Sequence, residues 1–527
     1  MTRASLLLIG CTVLGALALG SCGSDDLTGH GCGIPGAPAD CGKTCATDRD
    51  CVVGSYCGGD SLCTADCVQS GATICKDGDT CDGNGRCANV TDGGPISCSG
   101  LQCKVNHACA GGAKTTITGK VFAPNGTLPL YNAAVFIPNG PVEAISEGVT
   151  CDRCDGKLSG DPVTFTATGS DGSFSLTDVP TGKDIPLVIQ LGRWRRKVTV
   201  PAVTDCATLP ADAVLTRLPK NAAEGDIPKM AIASGKADAF ECLLLKIGLD
   251  PAEITLPSAN GRIHFFRGTD APGLDLMPTA PTADKLYGSL ANMLKYDVLL
   301  LPCEGSEFDK GKDKGMTLNP DPRGLLVQYL NAGGRVFSTH YSYDWLTYPM
   351  SPYNKIAMPT RMDGQWPVGQ LDDYNNTIAA SLVETFPKGM DFAKWLIAAG
   401  ATSPPDKLDI AEGRSDLIGV DPTYAQQWAT YNFNYIMKNG KTGGPAVMHM
   451  TFNTPIDAPK DDKGVPQSCG RVVFSDFHVT AGAVQPMQSI FPTACKSDPM
   501  TDQEKALAFM LFDLSSCVQQ DISPPIL

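Results

Sequence analysis

Between Cys41 and Cys87 the chain places nine cysteines among small and polar residues, with few large apolar side chains. A segment so poor in core-forming residues cannot fold by burial, so covalent staples must replace a core. The cysteines run Cys41, Cys45, Cys51, Cys57, Cys63 and then Cys63, Cys67, Cys75, Cys81, Cys87, two related units that share Cys63 in this count. The spacing predicts a disulfide module over 41–110, continuing less regularly through Cys98, Cys103 and Cys109. Zinc is the alternative, weakened because no paired histidines accompany the thiols.

Disulfides on this scale require an oxidising compartment, and the amino terminus agrees. Met1 to Ser21 carries an early Arg3 and a long apolar run, then Leu19-Gly20-Ser21-Cys22. This reads as a secretory signal over 1–21, with a plain signal peptide as the alternative. The segment resembles bacterial lipoprotein signals, and the resemblance implies that Cys22 is the lipidated first residue. No later run is long and apolar enough to span a bilayer, so the lipid would be the membrane attachment. Residues 22–40 are then a flexible tether. Gly23, where some bacteria place an Asp that retains lipoproteins at the inner membrane, implies the outer membrane or cell surface. The formal charge of −14 gives no reason to expect a nucleic-acid partner. The one basic cluster, Arg193-Trp-Arg-Arg-Lys197, is read as a solvated strand face.

Residues 115–218 change character. Thr116–Gly126 is alternation running into a turn, Ser170–Gly182 is a turn, a strand and another turn, and Leu130–Ile137, Ile185–Leu191 and Arg195–Val200 are further short strands punctuated by Gly and Pro, which predicts a β-sandwich. The pattern Gly119-x-Val121, Pro129-Leu130, Ala133-x-Val135, Asp171-Gly-x-Phe-x-Leu176 and Val179-Pro-x-Gly182 resembles the carboxypeptidase regulatory-like (transthyretin-like) domain. That resemblance implies a non-catalytic spacer or binding module. A Cys151-Asp-Arg-Cys154 insert interrupts it. A redox CxxC normally opens a helix, so structural pairing, with Cys206 as a candidate partner, is the expectation here.

From 229 to 517 strands alternate with helices. Lys229–Ala233, Ile263–Arg267 and the almost wholly apolar Tyr296–Cys303 read as strands of a buried parallel sheet. Ala237–Ile247 and Ala283–Leu294 read as helices, the first stopped at Gly248. A helix from Asp321 to Asn331 ends at Gly333-Gly334, and a strand follows from Arg335 to Ser338. Residues 350–440, rich in aromatics and including Trp366, Trp395 and Trp428, read as an insertion covering the strand ends, helical at Asp391–Ala399. The sheet resumes at Ala446–Phe452 and Arg471–Phe474. Thr501-x-x-Glu504 is a capping box opening a last helix. The whole is a multidomain chain: a disulfide-rich module, a β-sandwich, then a doubly wound, flavodoxin-like α/β domain.

In an open α/β sheet ligands bind beyond the carboxyl ends of the strands. His340 and His478 stand there, with Asp476 near His478 in sequence, so this edge is suited to general acid–base work. It also leaves room for a divalent metal with Glu304 as an oxygen ligand, although no metal or other cofactor is required. Tyr341, Tyr343 and Trp345, just past the strand end, are candidate ligand contacts together with Glu304. Placing Cys469 and Cys517 at the lower edge of the sheet, and Cys303 and Cys495 at the upper edge, predicts the bridges Cys469–Cys517 and Cys303–Cys495. Cys242 would then be a buried thiol. A thiol at Cys303 would instead bring forward a nucleophile.

The strand Tyr296–Cys303, the segment Leu325–His340 and Gly470-Arg-Val-Val-Phe-Ser-Asp-Phe-His478 resemble the class I glutamine amidotransferase-like superfamily, particularly its ThuA-like branch. In amidotransferases the elbow after the Gly-Gly turn carries a nucleophilic cysteine, whereas here it reads Ser338-Thr-His340. The resemblance therefore implies the fold without the family's thioester chemistry. Two functions follow. The first is a membrane-anchored surface lipoprotein whose α/β head binds a carbohydrate or protein ligand without catalysis. The second is an exported hydrolase or carbohydrate-processing enzyme using His340 and His478. Close approach of the two imidazoles over a pocket favours the enzyme, and burial under the insertion favours binding.

Overall fold

The computed structural model describes residues 40–523 except 53–54, 59–60, 66–78, 82–85, 90–97, 99, 155–157, 236–237, 269–276, 305–311, 314–315, 348–350, 360–366, 369–376, 434–435, 438–444, 463 and 480–490. The signal, Cys22, most of the tether and Trp366 therefore lie outside the described residues. The chain divides into two compact units, Met1–Cys98 and Ser99–Leu527.

In the first unit, covalent bonds stand in for a core, as the composition requires. Cys45 bonds to Cys57 and Cys51 to Cys63, two interleaved bridges each spanning 12 residues. Cys57 also faces Cys63 across a short antiparallel pair, Tyr56–Cys57 with Cys63–Thr64. The buried Asp40 carboxylate accepts hydrogen bonds from the Val52 amide and the Ser55 hydroxyl.

The second unit begins with two small sheets. Strands β1 (Thr116–Lys120), β2 (Ala134–Pro138), β3 (Pro162–Ala167), β4 (Ser173–Leu176), β5 (Gly182–Leu191), β6 (Trp194–Val203) and β7 (Thr208–Pro210) form a four-stranded sheet ordered β6-β5-β2-β3 and a three-stranded one ordered β7-β1-β4. Their alternation turns Ile117, Val135, Ile137, Leu176, Ile185, Leu187 and Ile189 inward, all fully buried. Gly192, at the β5–β6 turn, has φ +54, and a Cβ there would strike the Ser515 carbonyl oxygen at 1.8 Å. The turn thus needs glycine for both conformation and approach.

A mixed ten-stranded sheet follows. Its strands are β8 (Met230–Ser234), β9 (Ile254–Thr255), β10 (Ile263–Arg267), β11 (Val298–Leu301), β12 (Arg335–Thr339), β13 (Thr377–Leu382), β14 (Lys407–Ala411), β15 (Ala425–Tyr431), β16 (Ala446–Thr454) and β17 (Gly470–Ser475). Their order is β9-β10-β8-β11-β12-β17-β16-β15-β13-β14. The first six are parallel, and β16, β15, β13 and β14 run antiparallel to their neighbours. The parallel part carries the expected strand–helix alternation, and β11 is buried throughout, as parallel strands are. The antiparallel part corrects the expectation of a uniformly doubly wound sheet: 350–440 contributes β13, β14 and β15 and so extends the sheet rather than merely covering it.

The helices that accompany this sheet include α1 (Phe240–Lys246), α2 (Asp284–Tyr287), α3 (Leu290–Met293), α4 (Pro322–Asn331), α5 (Pro387–Ala398) and α6 (Asp502–Ser515). The single helix expected over 283–294 is two turns divided at Gly288-Ser289. The other boundaries follow local chemistry. Asp321 caps α4 through the Arg323 amide, and Gly333 takes φ +114 beyond its end. The Thr501–Glu504 capping box opens α6, with hydrogen bonds of 2.9 and 3.3 Å.

Helix α6 lies between the sandwich and the sheet. Its Phe512 tilts onto Trp194, and its Phe509 packs with Tyr131, Trp395 and Trp428. The basic cluster belongs to the same junction, which corrects its reading as a solvated face. Arg193 is buried 3.1 Å from Asp297, and Arg195 is buried 2.9 Å from Asp226.

The bridges differ from expectation. Cys151 bonds to Cys469, Cys154 to Cys517, Cys242 to Cys495 and Cys109 to Cys206. The Cys151–Cys154 insert crosses the base of the sheet. There Cys154 and Asp152 exchange backbone hydrogen bonds with Val518, so the insert takes both cysteines that were expected to bond each other. Cys206 is taken by Cys109. Cys495 lies against helix α1, and its bond to Cys242 leaves Cys303 outside the bridges with its thiol intact.

Candidate functional site

Three neighbouring strands converge at the carboxyl edge of the sheet. Leu301 of β11 pairs with Ser338 of β12, and Thr339 of β12 pairs with Ser475 of β17. Just past these ends stand Cys303, His340 and His478, all buried. At His340 the backbone takes φ +42, an uncommon conformation for a residue with a Cβ. It turns the chain from strand into a short 3-10 turn, His340–Tyr343. That sharp reversal aims the imidazole back across the edge.

One carboxylate ties the strand ends together. Asp238, following β8, accepts the Thr339 hydroxyl proton and the amides of Cys303 and Val479. Thr339 Oγ1 in turn accepts from the Cys303 amide at 3.0 Å. Burial pushes Asp238 up to about 7 despite these hydrogen bonds.

The side chains meet closely. His340 Nδ1 lies 3.2 Å from Cys303 Sγ and 3.0 Å from His478 Nε2. Its other nitrogen, Nε2, lies 3.3 Å from Asp416 Oδ2. Asp416 comes from the insertion, immediately before the strand Leu417–Val420. Burial, reinforced by Arg414, pushes His478 down to about 3, so its ring is neutral at pH 7. The Tyr341 ring covers His340, with centroids 3.8 Å apart.

Asp476, expected to act with His478, supports Asp416 instead. Its Oδ2 accepts the Asp416 amide at 2.7 Å and the Leu417 amide at 3.3 Å. Burial and the nearby Asp416 raise its pKa. Among the candidate contact residues, Tyr343 and Trp345 are packed inward, with Trp345 edge-on to Tyr287 at 5.1 Å. Glu304 is buried against Gly268, and Tyr341 is half-buried. The structure brings His340 and His478 together with Cys303 and with Asp416.

A thiol, an imidazole and a carboxylate in line are the elements of an activated nucleophile: attacking atom, base and orienting group. With Nε2 3.3 Å from Asp416 Oδ2, the His340 tautomer carrying its proton on Nε2 would present the Nδ1 lone pair to the Cys303 thiol. The donor set Cys303, His340 and His478 also fits a transition metal, since one donor atom from each lies within 4.8 Å of the others.

No family model matches the chain, and no curated protein matches it. Similarities to solved structures are faint. A C-terminal interface mutant of a type II cohesin–X-dockerin complex from Acetivibrio cellulolyticus aligns at 15% identity, covering 26% of this chain and 85% of that one with a TM-score of 0.15. The corresponding N-terminal interface mutant aligns at 14% identity, covering 29% and 95%, with a TM-score of 0.14. A cold-adapted β-galactosidase from Rahnella sp. R3 aligns at 12% identity, covering 56% and 33%, with a TM-score of 0.21.

Proposed function

We propose that this protein is an exported, lipid-anchored hydrolase of the cell envelope that works through a covalent intermediate on Cys303. The observation carrying this reading is the line Cys303 Sγ, His340 Nδ1, His340 Nε2, Asp416 Oδ2, with spacings of 3.2 and 3.3 Å at its two contacts. The resemblance of 229–517 to the ThuA-like branch supports an edge-of-sheet site. The disulfides support an oxidising compartment. The Leu19-Gly20-Ser21-Cys22 sequence supports the lipid anchor.

In this mechanism His340 takes the Cys303 proton as Sγ attacks the substrate carbonyl carbon. The tetrahedral adduct collapses, and His340 returns that proton to the departing alcohol or amine, leaving a thioester. His340 then takes a proton from water as the water oxygen attacks the thioester, and the acid product leaves with the Cys303 thiol restored. Asp416 keeps the Nε2 proton in place and stabilises the imidazolium.

The test is acyl trapping on the full chain. Brief incubation with p-nitrophenyl acetate should leave an acetyl group on the Cys303 peptide, absent after Cys303→Ala and diminished after His340→Gln. Undiminished turnover by Cys303→Ala would refute the mechanism. Burial of Cys303, His340 and His478 favours a second reading, a head that binds a carbohydrate or protein ligand without turnover. Ligand-induced stabilisation with no acyl adduct would support that reading.

A further inference from the structure

His478 has no part in the line from thiol to carboxylate, yet it stands at its centre. His340 Nδ1 faces both Cys303 Sγ at 3.2 Å and His478 Nε2 at 3.0 Å. A neutral imidazole whose other nitrogen carries its proton toward Asp416 has one lone pair for these two neighbours. Three polar atoms from three strand ends thus lie within 4.8 Å of one another.

We propose that Cys303, His340 and His478 bind a soft divalent cation, with zinc the best-matched ion, and that the bound ion holds the thiol out of reaction. One thiolate and two neutral imidazoles are a donor set suited to zinc. With ordinary Zn–S and Zn–N lengths, tetrahedral donors lie roughly 3.3–3.6 Å apart. The two separations in the structure, 3.0 and 3.2 Å, come within a few tenths of an ångström of that range. Asp416, 3.3 Å from His340 Nε2, supplies the outer carboxylate that commonly orients a metal-bound histidine. Asp476 anchors it through the Asp416 amide.

The other two clusters of this kind among the described residues, Cys45–Cys51–Cys63 and Cys109–Asp205–Cys206, have their sulfurs committed to disulfides. Only the strand-end trio keeps a thiol for a metal among those described. On binding, the Cys303 proton passes to solvent and Sγ becomes a ligand as thiolate. The same sulfur cannot then attack a carbonyl. The inhibitory consequence rests on the proposed hydrolase reading, but the metal site itself does not.

The test uses the full chain with its disulfides intact, titrated with Co²⁺ and then with Zn²⁺. One equivalent of Co²⁺ should produce a near-ultraviolet thiolate-to-cobalt charge-transfer band, which Zn²⁺ displaces. Cys303→Ser should abolish the band, and Asp416→Asn should weaken binding by about 10–100-fold. Where a variant folds poorly, Zn²⁺-dependent protection of the wild-type Cys303 peptide from alkylation reads the same contact. Absence of both the band and the protection would overturn the metal site. Binding without any acyl adduct would leave the metal site standing and remove the hydrolase. Turnover unaffected at saturating zinc would overturn the inhibitory role.

Discussion

At the scale of single residues, the site turns on the state of one sulfur. Export makes a disulfide the default for any cysteine, and that default hid Cys303. What the sequence did contain was its place: an apolar strand ending at Cys303 puts that residue at the carboxyl edge of a parallel sheet. His340 and His478 were legible for the same reason, each following a short apolar strand. Asp416 was not, because it reaches the site from an inserted segment with no fixed spacing to either histidine. If the thiol is the attacking atom, Cys303→Ala should lower kcat/KM for an ester substrate by at least ~10³-fold. Thermal unfolding of the same variant should show a native-like transition, which separates chemistry from folding.

A second residue gives a pH prediction away from the site. His449 is fully enclosed, bonded to Ser475 through Nδ1 at 2.7 Å, and burial with Arg471 nearby pushes it down to about 3. Its folded pKa is thus below the ordinary histidine value, so between about 3 and 6.5 the unfolded chain binds the extra proton. Its contribution to stability is complete above that window and is lost as pH falls through it. Tm should therefore fall more steeply from pH 7 to pH 4 in the wild type than in His449→Gln. Parallel slopes would show that His449 is not the group responsible.

At the scale of elements, capping and stop signals were the most legible features. The Thr501–Glu504 box and the Gly333-Gly334 stop each act through one or two backbone groups, so a local sequence suffices to specify them. The insertion was less legible: β13, β14 and β15 join the sheet by antiparallel pairing through β15 onto β16, a position that local sequence does not specify. Helix α6 is held by a buried charge cluster. Arg471 lies 2.7 Å from Asp513 and 2.6 Å from Asp521, and Lys388 lies 2.8 Å from Asp513. These pairs join β17, α5, α6 and the chain beyond α6. Asp513→Ala would leave Arg471 and Lys388 short of a counter-charge and should cost about 3–5 kcal/mol in denaturant unfolding.

At the scale of the molecule, covalent bonds connect parts that composition made look separate. Cys151–Cys469 and Cys154–Cys517 span 318 and 363 residues and hold the sandwich insert against the base of the sheet. The sandwich and the α/β region also share one continuous apolar core. Spacing could not assign these partners, since many pairings satisfy an even set of cysteines. Replacing both members of one bridge by serine should lower stability by about 2–5 kcal/mol. Replacing the second bridge as well should cost less than the first, because the two close nearly the same loop. Equal, additive losses in denaturant titrations would contradict that coupling.

The central claim is that Cys303 remains a thiol beside His340 while Cys495 is bound elsewhere. The most direct measurement is a non-reducing peptide map of the full chain after alkylation in denaturant. The structure predicts an alkylated Cys303 peptide and a Cys242–Cys495 linked pair. A Cys303–Cys495 linked peptide with Cys242 alkylated would contradict the account, removing both the nucleophile and the metal ligand.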